Sequence, residues 1–599
     1  MMGTEYSRQG EVMEAAWVAA FALDALPRGE ARVFTRGELR VAVFRLDDDA
    51  LFALDDRCPH EGYPLAKGFV NGCVVTCRWH AFRYDLRTGR CLVGDEHART
   101  YPVRVREGVV ELDLRPPDRE AEGARIATSL VQALAWRKTG QMARDAVRLI
   151  DLGVTLREVA FEAVRFDAAR GAYGTTHVPA LAHDLLVLLP RLTERHGPDG
   201  ELATLLMPLD LAAESHLGYA DRARPEPEAW PVDGAFVELR RRVEAEDADG
   251  AEALLRGAIA QSASLETLRG WFRTLVTDHL IDFGHGQIYL PKVFALLAGA
   301  ARADVDLVLG AYLRMIALGT REELVPEWSW VARAIAEVPE PSATAVPSFL
   351  RALLDGSRRE LFSALEGLLG AGQLVPIIDA LVVAASVRLL RYDLQIETDP
   401  TVQDGWLDIT HALTLASATR ELLAPDDPAG NRRILYLVSA FVHTRGGADA
   451  PRDLRVFDEA AVFADTAPAP SPEPGPAADP DAVQHALERR DADAMVRVCE
   501  PFAHSEPTAL VTLLEDWCLT RGATRPIFAT HQWKTLVAAQ LERDRLAASA
   551  DPATARAAHL PLLAAARFLA SPLAERSPMR VAHEALRFVR HGRVPRRRT

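Results

Sequence analysis

Two hydrophobic rhythms divide the chain. Up to about residue 116 apolar and polar positions alternate, as in Arg40-Val-Ala-Val-Phe-Arg-Leu46 and Val103-Arg-Val-Arg-Glu-Gly-Val-Val-Glu-Leu-Asp-Leu114. A period of two marks half-buried strands, and Glu107-Gly108 inside the second run is a hairpin-turn signal. These residues predict a small antiparallel β domain over residues 14–116. From about residue 120 the period becomes 3.6, in long segments rich in Ala, Leu, Arg and Glu. That pattern predicts helices over 127–150, 178–195, 201–219, 250–264, 269–282, 289–300, 303–316, 346–371, 375–391, 406–424 and 431–443.

The run Ala467-Pro-Ala-Pro-Ser-Pro-Glu-Pro-Gly-Pro476 interrupts the helical pattern. Such composition favours extended, solvated backbone, so residues 466–480 read as a linker or surface loop. It separates an all-α domain at 120–465, the expected catalytic part, from a helical part at 481–592 that packs with it and a basic tail at 593–599. The expected fold class is α+β and multidomain: a small antiparallel β domain followed by a large all-α region. No motif recurs at about 34 or 40–47 residues, so the helices are expected to bundle rather than stack as a solenoid.

At 599 residues the chain is too long for one core and should form about three domains. It has no run of eighteen apolar residues and no charged-then-apolar leader, which argues against membrane insertion and secretion. Six cysteines without disulfide-scaffold spacing fit a reducing, cytoplasmic compartment. A net charge of −15 disfavours a nucleic-acid partner, and the basic tail reads as a solvated end.

The most informative chemistry lies in the β domain. Cys58-Pro59-His60 and Cys77-Arg78-Trp79-His80, sixteen residues apart, form a C-x-H…C-x-x-H signature. Each knuckle offers one sulfur and one nitrogen, as a [2Fe-2S] cluster with one Cys-held and one His-held iron requires. The competing assignment is tetrahedral zinc, although a zinc finger usually pairs its cysteines in one knuckle.

The run Asp56-Arg-Cys-Pro-His-Glu-Gly-Tyr-Pro-Leu65, followed by Val75-Thr-Cys-Arg-Trp-His-Ala-Phe-Arg-Tyr-Asp-Leu-Arg-Thr-Gly89, resembles the Rieske ferredoxins that feed bacterial ring-hydroxylating oxygenases. The resemblance covers residues 14–116 and implies that Cys58, His60, Cys77 and His80 bind a [2Fe-2S] cluster. Respiratory-type Rieske proteins carry an extra cysteine in each ligand loop, joined as a disulfide. Here Cys73 and Cys91 do not occupy those positions, which implies the soluble, lower-potential type. Histidines near solvent would let an electron leave.

Histidines give a second clue. His177, His183, His216, His279, His285, His411, His443 and His531 lie within apolar helical segments, where an imidazole is costly unless its nitrogens find partners. Four segments place imidazole beside Thr, Asp or Gly at a helix start or break, where a carboxylate or carbonyl can fix the tautomer of a metal ligand. The candidates for a second metal are His177, His183, His279, His285, His411, His531 and Lys534. His177/His183 and His279/His285 are each six residues apart, about 240° around a straight helix, so a shared metal requires a break between them. Pro179 and Gly284 permit one. There is no H-E-x-x-H and no Glu-x-x-His pair of the di-iron bundle kind. The chain has only four lysines among 69 Lys and Arg residues, and two of them, Lys292 and Lys534, follow histidine motifs. Lysine, unlike arginine, can lose its proton and act as nucleophile, base or carbamate ligand.

Asp278-His-Leu-Ile-Asp-Phe-Gly-His-Gly-Gln-Ile-Tyr289 and Trp406-Leu-Asp-Ile-Thr-His-Ala-Leu-Thr414 are similar to segments of the helical questin oxidase-like proteins. That resemblance implies oxygen-dependent ring cleavage of polyketide quinones, with non-haem iron held by several histidines and a carboxylated lysine.

Joined, the halves predict an O2-dependent mono- or dioxygenase in which the cluster delivers electrons to mononuclear non-haem iron acting on an aromatic or polyketide-like small molecule. His60 and His80 would face the bundle. No G-x-G-x-x-G follows a strand, so reducing equivalents would come from a separate NAD(P)H-dependent reductase. A homo-oligomer is also compatible, with electrons crossing between copies. Two other readings stay open: an electron-transfer or redox-sensing adaptor with a partner-docking helical domain, and a cofactor-independent oxygenase with a His-lined pocket.

Overall fold

Nine short strands appear among the described residues, all in antiparallel pairs: β1 Trp17–Ala22, β2 Ala31–Arg36, β3 Leu39–Arg45, β4 Leu51–Asp55, β5 Phe69–Asn71, β6 Val74–Thr76, β7 Arg83–Asp85, β8 Val103–Arg106 and β9 Val109–Asp113. They form three sheets in the orders β1-β9-β8, β2-β3-β4 and β5-β6-β7. The computed structural model describes residues 17–229, 232–342, 345–398, 405–455, 457, 478–521, 525–571 and 578–592. Most of the proline-rich stretch and the basic tail therefore lie outside the described residues. The chain divides into two compact units, residues 1–159 with 581–599, and residues 160–580.

In the first unit β3 is covered on both faces. Val41 and Val43 pack with Ala53, Val110 and Leu112, while Ala42 and Phe44 pack with Leu54, Cys58 and Cys77. The alternation expected of β3 therefore gives way at Val41–Phe44 to four consecutive buried apolar residues. Glu107 and Gly108 both take positive φ, 52° and 76°, and join β8 to β9 as the two-residue hairpin their sequence predicts. The helix expected at 127–150 is two, α1 Arg119–Ala135 and α2 Thr139–Asp151. The break falls at Arg137, whose φ is 48°.

The second unit is helical. Its core is a ring of four helices, α3 Val178–Ser215, α4 His285–Leu297, α5 Trp406–Leu422 and α6 Pro526–Ala547, each packed on the next and α6 on α3. All four run in the same direction. His177 neighbours His285 and Asp184 meets Lys292, seven residues along both chains. His411 neighbours His531 and Ser417 meets Glu542; His177 neighbours His531 and Arg191 meets Gln540. Parallel neighbours need long returns, and the chain supplies them as the other helices of this unit. α6 lies beyond the proline-rich stretch, so the ring draws on both expected helical parts.

Several boundaries move. The segments 178–195 and 201–219 are one element kinked at Gly197, where φ is 62° and ψ is −154°. The segment 346–371 is two helices, Val346–Asp355 and Arg358–Gly370, the second started by a Ser357/Glu360 capping box. The helix expected at 269–282 stops at Asp278, leaving His279 extended. Among the described residues no helix is long and apolar enough to cross a membrane.

Candidate metal centres

In the first unit the two knuckles are built alike. Cys58 N–H donates to the Tyr63 carbonyl at 2.9 Å and Gly62 N–H to the Cys58 carbonyl at 2.7 Å; Cys77 N–H donates to Phe82 at 2.7 Å and Ala81 N–H to Cys77 at 3.0 Å. The fourth residue after each cysteine turns left-handed, Gly62 at φ 80° and Ala81 at φ 57°. A non-glycine residue held there is strained, as at sites where backbone must present side chains. The effect is to bring two buried sulfurs and two imidazoles to one tip, with the rings of His60 and His80 4.9 Å apart and edge to face.

The sulfur end is dry and the nitrogen end is not. Tyr84 hydroxyl lies 3.1 Å from Cys58 Sγ; the hydrogen bond between the two sulfurs, with burial, pushes Cys58 up, and the same hydrogen bond brings Cys77 down to about 6 against its burial. His60 stacks on Phe82 at 4.1 Å and His80 on the exposed Trp79 at 5.1 Å, both imidazoles keeping partial exposure. All six cysteines are free. Two thiols buried together and two accessible imidazoles are the donor set a [2Fe-2S] cluster of mixed ligation takes.

α2 supports this tip. Glu96, buried, receives Arg144 at 2.6–2.7 Å and Arg148 at 3.0 Å, and Arg148 also donates to the Pro59 carbonyl at 3.3 Å, between Cys58 and His60. Burial works to raise Glu96, but the two guanidiniums hold it below the usual carboxylate range.

In the second unit four histidines from four helices meet. The Nε2 atoms of His285 and His411 lie 2.8 Å apart, and Lys534 Nζ lies 3.0 Å from His411 Nε2. The ring of His177 is 4.6 Å from His285 and 4.9 Å from His531, and His411 is 5.0 Å from His531. One nitrogen each of His177, His411 and His531 falls within 4.8 Å of the others. His177 precedes the first turn of α3 and His285 opens α4, so each reaches the centre from a helix start, while His411 and His531 project from the second turns of α5 and α6 and Lys534 from the third turn of α6.

The turn before His285 is forced. Asp282, Phe283 and Gly284 have φ of 43°, 57° and 91° in succession. A Cβ at Gly284 would come 2.7 Å from Leu415, so only glycine fits. Phe283, about one-third exposed, lies over His411 on the solvent side. Asp167 braces the other entrant, accepting from Thr175 and Thr176 hydroxyls at 2.6 Å beside His177, and from His216 at 2.8 Å.

Burial lowers all four imidazoles well below their ordinary value, and burial with the nearby Lys292 charge does the same to Lys534. Neutral imidazole is the metal-binding form. His531 Nδ1–H donates to the Ile527 carbonyl at 2.8 Å, which leaves its Nε2 lone pair turned inward. That Nε2, His177 Nε2 and His411 Nδ1 are buried with no hydrogen-bond partner. Buried orphans are costly, and a metal ion among the rings would satisfy those of His177 and His531; His411 turns its Nε2 to His285 and Lys534, so its orphaned Nδ1 lies on the other edge of the ring.

Of the candidates read from sequence, the structure brings together His177, His285, His411, His531 and Lys534. His183 and His279 are not with them. A break does occur before His285, but it sends His279 elsewhere, between Glu323 and Glu244. His183 faces Asp184, and Lys292 is paired with that same carboxylate. His443 lies 3.2 Å from the Leu353 carbonyl. Sequence reading passed over Phe283, Asp167 and Asp184; the signals available were a polar-aromatic-glycine turn directly before a histidine, and carboxylates inside apolar helical runs.

Residues 16–105 match the family model described as "Rieske [2Fe-2S] domain". The chain is 35% identical over 106 residues to the anthranilate 1,2-dioxygenase ferredoxin subunit of Burkholderia cepacia, covering 97% of that protein and 17% of this chain. It is 30% identical over 104 residues to the ferredoxin component of the naphthalene 1,2-dioxygenase system of Pseudomonas aeruginosa, with coverage of 99% and 17%. A stretch of 97 residues is 35% identical to 4beta-methylsterol monooxygenase of Methylococcus capsulatus, covering 26% of that enzyme and 14% of this chain. Among solved structures, the complex of oxygenase and ferredoxin of carbazole 1,9a-dioxygenase matches at 27% identity and a TM-score of 0.16, covering 16% of this chain and 93% of the other. Through its N-terminal domain, whose paired knuckles the geometry had already singled out, the chain belongs to the Rieske [2Fe-2S] family.

Proposed function

We propose that the chain is an iron-dependent oxygenase with two metal centres. Cys58 and Cys77 hold one iron of a [2Fe-2S] cluster and His60 and His80 the other, in the β domain at 14–116. His177, His285, His411 and His531 hold a mononuclear iron in the ring of four helices. A Rieske cluster carries one electron at a time, and a histidine-held iron with open positions is an acceptor that activates O2 when supplied that way. The observation that carries this reading is the convergence of four neutral imidazoles, with one nitrogen each of His177, His411 and His531 within 4.8 Å of one another and His285 Nε2 2.8 Å from His411 Nε2.

The residues divide the work. The four helices bring the imidazoles together, Asp167 and the left-handed turn at 282–284 fix the two that enter at helix starts, and Ile527 fixes the tautomer of His531. Lys534, neutral in its burial, offers a lone pair beside His411 and stands as a fifth ligand or a hydrogen-bond donor to what binds there. The substrate is a small aromatic or polyketide-like molecule, and a separate NAD(P)H-dependent reductase recharges the cluster. Both ferredoxin relatives named above belong, by their names, to dioxygenase systems, which supports the electron-transfer role of the N-terminal domain.

Metal analysis of purified protein tests this. Three irons per chain, with a Rieske spectrum, are expected. Two irons and no further metal would instead leave the adaptor or the cofactor-independent enzyme.

A further inference from the structure

Beyond the imidazole ring lies a cavity of about 210 Å³. It begins one to two turns further along all four core helices. Asp184 follows His177 by seven residues and Lys292 follows His285 by seven, while Thr414 follows His411 by three and Ala538 follows Lys534 by four. At ~1.5 Å per residue the cavity lies some 5–10 Å from the centre, on the faces that already point inward.

Its walls are mostly apolar, from Pro291, Val537, Ala538 and Leu541, and its mouth is at exposed Leu541 and Glu421. One corner is charged. Lys292 Nζ pairs with Asp184, whose other oxygen takes His183 Nδ1 at 3.0 Å, and Asp184 itself is 1% exposed. Burial works to raise the Asp184 carboxyl, but Lys292 and His183 hold it below its ordinary value. With Nδ1–H committed to Asp184, the His183 Nε2 lone pair has no protein partner among the described residues. From α5 the cavity is faced by Thr414, Ser417 and Glu421, the last paired with Arg545; α6 contributes no charged wall.

We propose that this cavity binds a small apolar molecule carrying one ionisable hydroxyl, a phenol or enol, and that His183 takes its proton. Apolar space of ~150 Å³ accepts benzene, so this one holds one ring with substituents or two small rings. The hydroxyl O–H bond breaks, its proton moves to His183 Nε2, its electron pair stays on oxygen, and Asp184 stabilises the imidazolium while Lys292 keeps Asp184 ionised. This names the substrate class of the oxygenase reading and rests on it only for what happens next, since binding and proton transfer need no metal.

The test is a titration of the full-length protein with 4-nitrophenol, whose absorbance reports both binding and ionisation, before and after chelation of metal. Saturable binding of one equivalent, largely as the phenolate, is expected in both states. His183→Gln should keep binding but reduce the ratio of bound phenolate to bound phenol by about tenfold, the weight of one pKa unit. Ala538→Trp should fill the cavity and abolish binding. Absence of saturable binding, or a phenolate band indifferent to both substitutions, overturns the proposal. Iron content is read separately, so loss of the second-metal reading leaves a distinct signature.

Discussion

The two candidate centres gather four Cys or His side chains each and differ in almost everything else. In the β unit the set spans residues 58–80 and is shaped by two matching turns; in the helical unit it spans 177–531 and exists only when four parallel helices close into a ring. The first keeps its imidazoles partly exposed, as a centre that passes electrons outward requires. The second buries His411 to 4% and His531 to 2%, with His177 and His285 half-buried at the helix starts. A local site survives changes elsewhere in the fold. A site assembled from distant helices is as stable as the packing that assembles it.

That contrast can be broken most sharply by removing one centre at a time. Cys58→Ser should abolish the cluster's absorption and its reduced-state EPR signal outright while leaving helical content and any metal in the second unit unchanged. Loss of both together would mean that the centres are not independent. Next in size, His285→Ala with His411→Ala should cut substrate oxidation by more than about a hundredfold, given that even outer-shell changes cost 10–100-fold, with the Rieske spectrum intact.

Acid should separate the units too. The four buried histidines have folded values well below 6.5, so below about pH 6.5 the unfolded chain binds more protons than the folded one. Stability therefore falls as pH falls through that window, by about 1.4 kcal/mol per pH unit for each proton the folded form refuses. Urea unfolding of metal-free protein at pH 7, 6 and 5 should show this slope, and His285→Gln with His411→Gln should flatten it. An unchanged slope would place the acid sensitivity elsewhere.

The smallest effect is expected at the support of the first centre. Arg148→Gln removes a donor to the Pro59 carbonyl and to buried Asp145 but leaves Glu96 paired with Arg144 and Asp145 with Ser129, so a cost of about 1–3 kcal/mol is expected, with a lower cluster midpoint potential because a positive charge is lost. Chemical denaturation and a spectroscopic redox titration measure the two.

How far each centre was legible follows from the same contrast. The knuckles could be read because spacing alone fixes them, and β8 and β9 because alternation and the Glu107-Gly108 turn are local. The helical centre was legible only as a pool of candidates. His177 and His183 look equivalent along the chain, and what separates them is that one precedes the first turn of α3 and the other sits beyond it, facing Asp184. His279 and His285 are divided by three left-handed residues, whose conformation depends on Leu415 and the Thr320–Glu323 segment as well as on their own sequence. Helix breaks at Arg137 and Gly356 were missed because apolar periodicity continues through them.

The most direct test of a second, independent metal centre is iron counted per chain in three proteins: wild type, Cys58→Ser, and His285→Ala/His411→Ala. The account predicts about three, one and two. Two irons in the wild type, none after Cys58→Ser and two still present in the histidine variant would contradict it.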